Sequence, residues 1–410
     1  MRHTHPAMSP EAALLLCCAR VVMDAASMER AQRLLQEDLD WHALLQTALH
    51  HGVMPLLYRN LQTLRPTTVP HAALEQLGHA FHTHAGRALF LTGALCQILA
   101  ALEAHQIVAI PFKGPVLAAT VYGSPILRQF GDLDILVHKH DVLRARDLLL
   151  AQGYRPYTPM TDVQEAAHLH ARYHYNVLRD DGQVMVEIHW AFARRYWGVA
   201  LDMAYVQERC TTVSLVGTPL RTLAPEDLLL ILTVHGAKHY WPRLGWICDV
   251  AEVLRVYQRL DWGLLMAHAS TLGIRRILWL GLRLAQDLHG ATLPGEVVRQ
   301  LQSDPTVGGL AAQVRQHLFS QTGQHLSTQE KQAFYLRLRE RRRERVAYLC
   351  YELRQYGRQA LTPTAADRAL LPSRLAVFLP LLRPLRVACR YGWRVPNHLL
   401  HLLWHGIRSP

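Results

Sequence analysis

The sequence predicts an α+β protein, with a small mixed sheet at residues 105–190 flanked by N-terminal and C-terminal helical regions. Three observations lead there. Short β-rich apolar runs cluster in that window: Ile107–Ile110, Leu133–Val137, Tyr173–Leu178 and Val184–Trp190. Before and after it, apolar residues recur at spacings of three and four, the helical period. Between the last two runs stands Arg179-Asp180-Asp181-Gly182, an Asp-Gly hairpin signal.

The elements follow in order. Residues 1–104 read as a helical region, with apolar periodicity through Ala12–Val22, Met28–Leu35, Trp41–Leu49 and Ala88–Leu102. The 105–190 core opens with the strand Ile107–Ile110, which ends at Pro111-Phe112-Lys113-Gly114-Pro115. Pro115 suits a first helical position, so Val116–Tyr122 follows as a short helix until Gly123-Ser124-Pro125 breaks it. Leu133–Val137 is a strand with Asp132 at its entrance, and Val142–Gln152 is a helix that Gly153 stops. The hairpin completes the core. From 191 the chain reads as helical to its end: 191–300 as a domain packing on the core, 301–410 as a basic C-terminal region. Pro225-Glu226-Asp227 opens a helix running to about His239, with acids where the dipole favours them.

Bulk properties exclude several classes. Half of the 410 residues are hydrophobic and only 19% are charged, too apolar for a disordered chain. No apolar run approaches the ~18 residues needed to span a bilayer, so no transmembrane segment is expected. The apolar stretch Ala12–Ala19 is bracketed by Glu11, Arg20 and Asp24, unlike a secretory signal. Seven cysteines without a CxxC pair point to a reduced, cytoplasmic setting. The net charge of +12 favours anionic partners such as nucleotides, nucleic acid or an acidic membrane surface. Only four lysines are present, so Lys113 and Lys238 stand out from an arginine-rich background.

The chemistry centres on Asp132-Leu133-Asp134. Residues i and i+2 of a strand share a face, so two carboxylates are held side by side and repel unless a cation neutralises them. Hard divalent ions suit carboxylate oxygens. Upstream, Lys113-Gly114 occupies a strand-to-helix turn, where glycine permits close approach and the lysine supplies charge for a phosphate. Arg128 is a second candidate phosphate clamp. Glu187 and His189 share a face of the second hairpin strand. If that strand lies beside the one carrying Asp134, Glu187 completes a three-carboxylate cluster fit for in-line attack at phosphorus.

The order Lys113-Gly114, Tyr122, Pro125, Arg128, Asp132-Leu133-Asp134-Ile135-Leu136-Val137, Glu187-Ile188-His189-Trp190, His235-Gly236-Ala237-Lys238-His239, Trp241, Arg243-Leu244 and Asp249 resembles the uncharacterised nucleotidyltransferase family of the DNA polymerase β-like superfamily. The resemblance runs over roughly residues 30–290, and Leu382-Arg383-Pro384-Leu385-Arg386 is similar to the tail of some members. It implies a polymerase β-like core and transfer of an NMP from an NTP to a hydroxyl-bearing acceptor: a small molecule, a natural-product precursor, a peptide or a protein. By the same resemblance, Asp132, Asp134 and Glu187 would bind two Mg²⁺ ions, with Mn²⁺ as a substitute. Glu187 would also help deprotonate the acceptor. Lys113 and Gly114 would hold the triphosphate, and Lys238 and His239 would face the nucleotide or acceptor. The chain departs from the superfamily in having Lys-Gly for the commoner Gly-Ser and Glu for the commoner third Asp.

Rival readings attach to other features. The same fold could serve as a non-catalytic nucleotide-binding or partner-interaction module. His235 and His239 stand at i, i+4, which with His189 makes a zinc hydrolase a further reading; His168, His170 and His174 add imidazoles nearby. The Arg337–Arg345 charge run is expected on a solvated face of one long helix, Gln329–Tyr356, with nucleic-acid binding less favoured. The tail from Leu371 to Ile407 is expected to dock on the protein, with peripheral membrane contact as the competing role.

Overall fold

A computed structural model describes residues 8–66, 68–194, 197, 199, 203–319 and 327–361. The tail from Leu371 to Ile407 lies outside the described residues. The chain divides into two compact units, one of residues 1–194 and 199–324, the other of residues 195–198 and 325–410. Residues 195–198, expected within the 191–300 region, belong to the second unit, and the first unit runs past 300 to 324.

That unit begins with α1 (Pro10–Cys18), α2 (Ala25–Leu34), α3 (Trp41–His51), α4 (Met54–Leu64) and the long α5 (His71–Ala104). By length and composition alone α5 could cross a membrane. In this fold Leu91, Leu95, Ile98 and Leu102 bury one of its faces in the core of the sheet.

The sheet is built from β1 (Ala109–Pro111), β2 (Asp132–Val137), β3 (Tyr154–Pro156), β4 (His174–Arg179) and β5 (Met185–His189). Its order is β1-β2-β5-β4-β3, with β2 and β5 parallel and the other neighbours antiparallel. Helices α6 (Gly114–Val121), α7 (Val142–Ala151) and α8 (Asp162–Ala171) connect these strands. The period-2 alternation divides the sheet into two faces. Leu133, Ile135 and Val137 of β2, Val186 and Ile188 of β5, and Tyr175 and Val177 of β4 form the buried face, covered by α5 and α7. Asp132, Asp134, Glu187, His189, His174 and Asn176 fall on the other.

Three expectations are corrected. The region after 191 is not wholly helical. After α9 (Met203–Arg209) come β6 (Thr211–Leu215) and β7 (Thr218–Thr222), an antiparallel hairpin. Its turn residues Val216 and Gly217 have φ of 51° and 80°, the all-positive pattern of a type I′ turn. Two elements between 154 and 171, β3 and α8, were not expected. The helices α10 (Pro225–Lys238), α11 (Leu244–Val256), α12 (Trp262–Leu272), α13 (Arg275–His289), α14 (Gly295–Ser303) and α15 (Pro305–Leu318) complete the unit.

In the second unit the expected Gln329–Tyr356 helix is two helices, α16 (Thr328–Leu338) and α17 (Arg342–Leu361). Arg339 breaks it. Its guanidinium lies 4.2 Å from the ring centre of Tyr348 and 5.0 Å from that of Trp197, and its backbone is extended. Arg339 and Arg345 are buried, so part of the charge run faces inward.

Candidate active site

The parallel pairing of β2 and β5 sets the register: Asp134 lies opposite Glu187, and Glu187 lies opposite Asn176 of β4. One step along, His189 lies opposite His174. Two segments distant in sequence are therefore brought into one row of polar side chains by backbone ladders alone.

His189 joins the acids. Its Nε2 lies 2.9 Å from Asp134 Oδ1 and 3.1 Å from Glu187 Oε2. Those two oxygens can be no further apart than the sum of these distances. Lys113 Nζ lies 2.8 Å from the same Asp134 oxygen. Asp134 is 3% exposed and His189 2%. The Asn176 amide donates to Glu187 Oε1 at 3.4 Å.

Gly114 explains how the lysine turn comes so close. Its φ is +54°, and a Cβ there would meet the Asp132 carbonyl oxygen at 3.3 Å. A left-handed residue pressed on a neighbouring backbone calls for glycine. Lys113 is the N-cap of α6, directly before this contact, with Pro115 in the helix's first turn.

The electrostatics follow from burial and neighbours. Burial pushes the Asp134 carboxyl up, but the Lys113 charge and the His189 hydrogen bond outweigh it and hold it well below the usual range. Glu187 behaves alike: against burial, His189 draws it down to about 2. Burial would lower His189, yet hydrogen bonds to Asp134 and Glu187 raise it above its ordinary value. Asp132 differs, since burial and the adjacent Asp134 charge raise its carboxyl. Lys238 is lowered to about 8 by burial and then by the Lys113 charge.

The last turn of α10 delivers Lys238. Its Nζ donates to the Tyr173 hydroxyl at 3.1 Å and sits 4.8 Å from the centre of that ring. His235 and His239 pack edgewise and tilted on Trp246, with ring centres 4.5 and 5.4 Å away. Among the described residues, the imidazole and carboxylate donors that come within 4.8 Å of one another as a group of three are His174, Glu187 and His189. The set His189, His235 and His239 is not such a group, which removes the geometric basis of the zinc-hydrolase reading.

Arg128 is held from behind. Its Nε and Nη2 donate to the two oxygens of Asp249 at 2.7 and 2.8 Å, and the Tyr122 hydroxyl donates to the same carboxylate at 2.6 Å. This buried cluster ties α11 to the end of α6 and engages the guanidinium expected to clamp phosphate. His174, Asn176 and Tyr173 were not singled out as site residues. His174 had a signal, the imidazole cluster after 168, and period-2 reading from Glu187 across a hairpin would have reached Asn176.

The chain matches the family described as "uncharacterised nucleotidyltransferase" over residues 37–290. No curated protein shows significant similarity to it. Among solved structures it is similar to the antibiotic-resistance factor ANT(2'')-Ia, at 14% identity and a TM-score of 0.31, over 49% of this chain and 97% of that one. It is also similar to an antigenic nucleotidyltransferase-like protein from Paracoccidioides brasiliensis, at 13% identity and a TM-score of 0.29, over 52% and 95% of the two chains. Both likenesses are slight, and the family match rests on sequence.

Proposed function

The chain belongs to the uncharacterised nucleotidyltransferase family, and from that premise we propose that it transfers an NMP from an NTP to a hydroxyl-bearing acceptor with release of pyrophosphate. The observation that carries this reading is the meeting of Asp134 and Glu187 at His189, on the sheet face that also receives Lys113.

Asp132, Asp134 and Glu187 offer the oxygen donors that hard divalent cations take, although among the described residues these three do not come within 4.8 Å of one another as a group. Within the protein the acids Asp132, Asp134 and Glu187 are balanced chiefly by Lys113 and His189. Asp134 and Glu187, which meet at His189, call for more positive charge than that once a triphosphate arrives. Asp132, Asp134 and Glu187 would hold Mg²⁺ or Mn²⁺. When bound, such ions draw charge from the triphosphate and make an acceptor hydroxyl more acidic.

The chain's own groups do the rest. Lys113 leaves Asp134 for a triphosphate oxygen, and Lys238 approaches the same charge from the end of α10. The acceptor oxygen attacks the α-phosphorus in line. The bond from that phosphorus to the bridging oxygen breaks, pyrophosphate departs, and the acceptor proton passes to Glu187. Arg128 acts as a positioning residue, through Asp249 and Tyr122. His239, next to Lys238, is exposed at the end of α10, and His235 lies one turn earlier on the same helix.

The test is turnover of α-labelled NTPs with Mg²⁺ across small polyols, sugars and hydroxyl-bearing peptides, read as pyrophosphate release. Asp134→Ala, checked for folding by circular dichroism, should lose activity by orders of magnitude. Equal turnover by wild type and variant would remove the assignment.

A further inference from the structure

We propose that the Glu187 end of this site is a nitrogen-rich cation seat, formed by His174, Glu187 and His189, that takes a borderline transition ion of the zinc class in preference to magnesium. The inference rests on the nucleotidyl-transfer reading of the same face and deepens it, by distinguishing two unlike halves of one metal site.

The first observation is the donor set itself. His174 and His189 stand directly opposite each other on β4 and β5, with ring centres 5.2 Å apart. Glu187 lies two residues before His189 and so on the same face. One ligand atom from each lies within 4.8 Å of the others. Metal–nitrogen and metal–oxygen bonds of ~2.0–2.2 Å put ligand atoms of a common ion within about that separation.

The second observation is independent of spacing. The Nδ1 atoms of both His174 and His189 are shut off from solvent and have no hydrogen-bond partner, and the side-chain amide oxygen Oδ1 of Asn176, on the same face, is in the same state. A buried polar atom left unpaired is destabilising. Two of these atoms belong to imidazoles that flank one carboxylate, and His189 is almost wholly buried. A bound cation that takes one nitrogen of each ring frees the others to rearrange around it.

Chemistry decides which cation. Magnesium takes oxygen ligands and gives up water reluctantly, so a pair of imidazoles suits it poorly. Two imidazoles and one carboxylate suit zinc and its neighbours in the transition series. Asp132 and Asp134, which offer only oxygen, remain the magnesium side.

The full-length protein, stripped with chelator, would be titrated with Co²⁺ as a coloured stand-in for Zn²⁺. Zinc content would then be measured by elemental analysis after dialysis against millimolar Mg²⁺. The expected result is one Co²⁺ per chain, with a visible d–d band that persists in Mg²⁺ and is displaced by Zn²⁺. His174→Ala should weaken the binding by about 100-fold or more, while Asp132→Asn keeps the band. His174→Gln, with a melting curve, serves if the alanine variant does not fold. Lack of stoichiometric Co²⁺, competition by millimolar Mg²⁺, or unchanged binding in the His174 variants would overturn the seat. Mg²⁺-supported turnover by a wild-type protein that takes up no Co²⁺ would overturn the seat and leave nucleotidyl transfer standing. A protein that binds Co²⁺ as described and releases no pyrophosphate would instead overturn the reaction.

Discussion

Replacing Gly236 by alanine should destabilise the protein, although the same change in an open helix stabilises. Gly236 lies within α10, where alanine is favoured over glycine by about 1 kcal/mol. Against that stands Trp241, fully buried and folded back so that its amide donates to the Gly236 carbonyl at 2.8 Å. A Cβ at 236 would lie 2.4 Å from the Trp241 ring atom Cζ3 and 2.5 Å from Cδ2 and Cε3. Ordinary carbon contacts begin near ~3.5 Å, so the ring or the helix must move by about 1 Å. The ring has little room to retreat. A Cβ built on Gly281, on α13, would lie 3.4 Å from its far edge, and Trp241 itself has φ of 52°. Overpacking of this kind costs typically 1–3 kcal/mol, which set against the helix gain leaves a net loss of up to about 2 kcal/mol. Gly93 on α5 supplies the control. A Cβ there meets nothing within 4 Å, so Gly93→Ala should gain up to about 1 kcal/mol. Urea unfolding followed by circular dichroism measures both. Because the two sites belong to one unit, the comparison is internal. The losses from Gly236→Ala and Trp241→Leu should combine to less than their sum in the double variant, as expected for residues in contact. Stabilisation by Gly236→Ala comparable to Gly93→Ala would refute the reasoning. The displaced turn carries Lys238, so a raised KM for NTP should accompany the loss.

Other outcomes follow from the buried charges. Asp249→Ala leaves the Arg128 guanidinium buried without its partner and should cost about 3–5 kcal/mol; Arg128→Met in that background should restore part of it, and a loss below about 1 kcal/mol in the urea midpoint would contradict the cluster. His51 is lowered to about 4 by burial and then by the His50 charge, and His289 to about 3 by burial and then by Arg20. Both are neutral in the folded protein, so stability is full above the unfolded value near ~6.5 and falls as pH drops below it, by about 1 kcal/mol each at pH ~5.5. His189 runs the other way, adding stability below ~6.5 that is lost as pH rises through its raised value. Urea unfolding at pH ~7.5 and ~5.5 should show the net decline, and a flat or rising profile would refute it.

The strands that carry the candidate site were readable because they obey local rules. Asp132-Leu133-Asp134 and Glu187-Ile188-His189 alternate with period 2, and the Asp-Gly turn at 181–182 fixes the hairpin between β4 and β5. What was missed lacked a local signal. α8 buries none of its residues, so it shows no apolar stripe. It starts instead from a capping box in which Thr161 and Gln164 bond each other's backbone. The β6–β7 turn places Val216 at positive φ, a conformation that β-branched residues rarely adopt and that Asn or Gly would have announced. The break at Arg339 is tertiary: a buried cation between two aromatic rings decides it, and helix propensity at that position does not. Arg128 shows the same limit within the site, since its partner Asp249 arrives from a distant helix.

Parallel pairing of β2 with β5 has a consequence for assembly. Asp134 and Glu187 face each other only after the intervening chain through α7, β3, α8 and β4 has crossed over and seated β5 next to β2. Such a crossover closes a long loop before any ladder contact rewards it. Reactive geometry is therefore a late product of folding. A nascent or clipped chain that ends before β5 carries the aspartates and the lysine turn but lacks Glu187 and His189, and with them the row of side chains on which the proposed reaction depends.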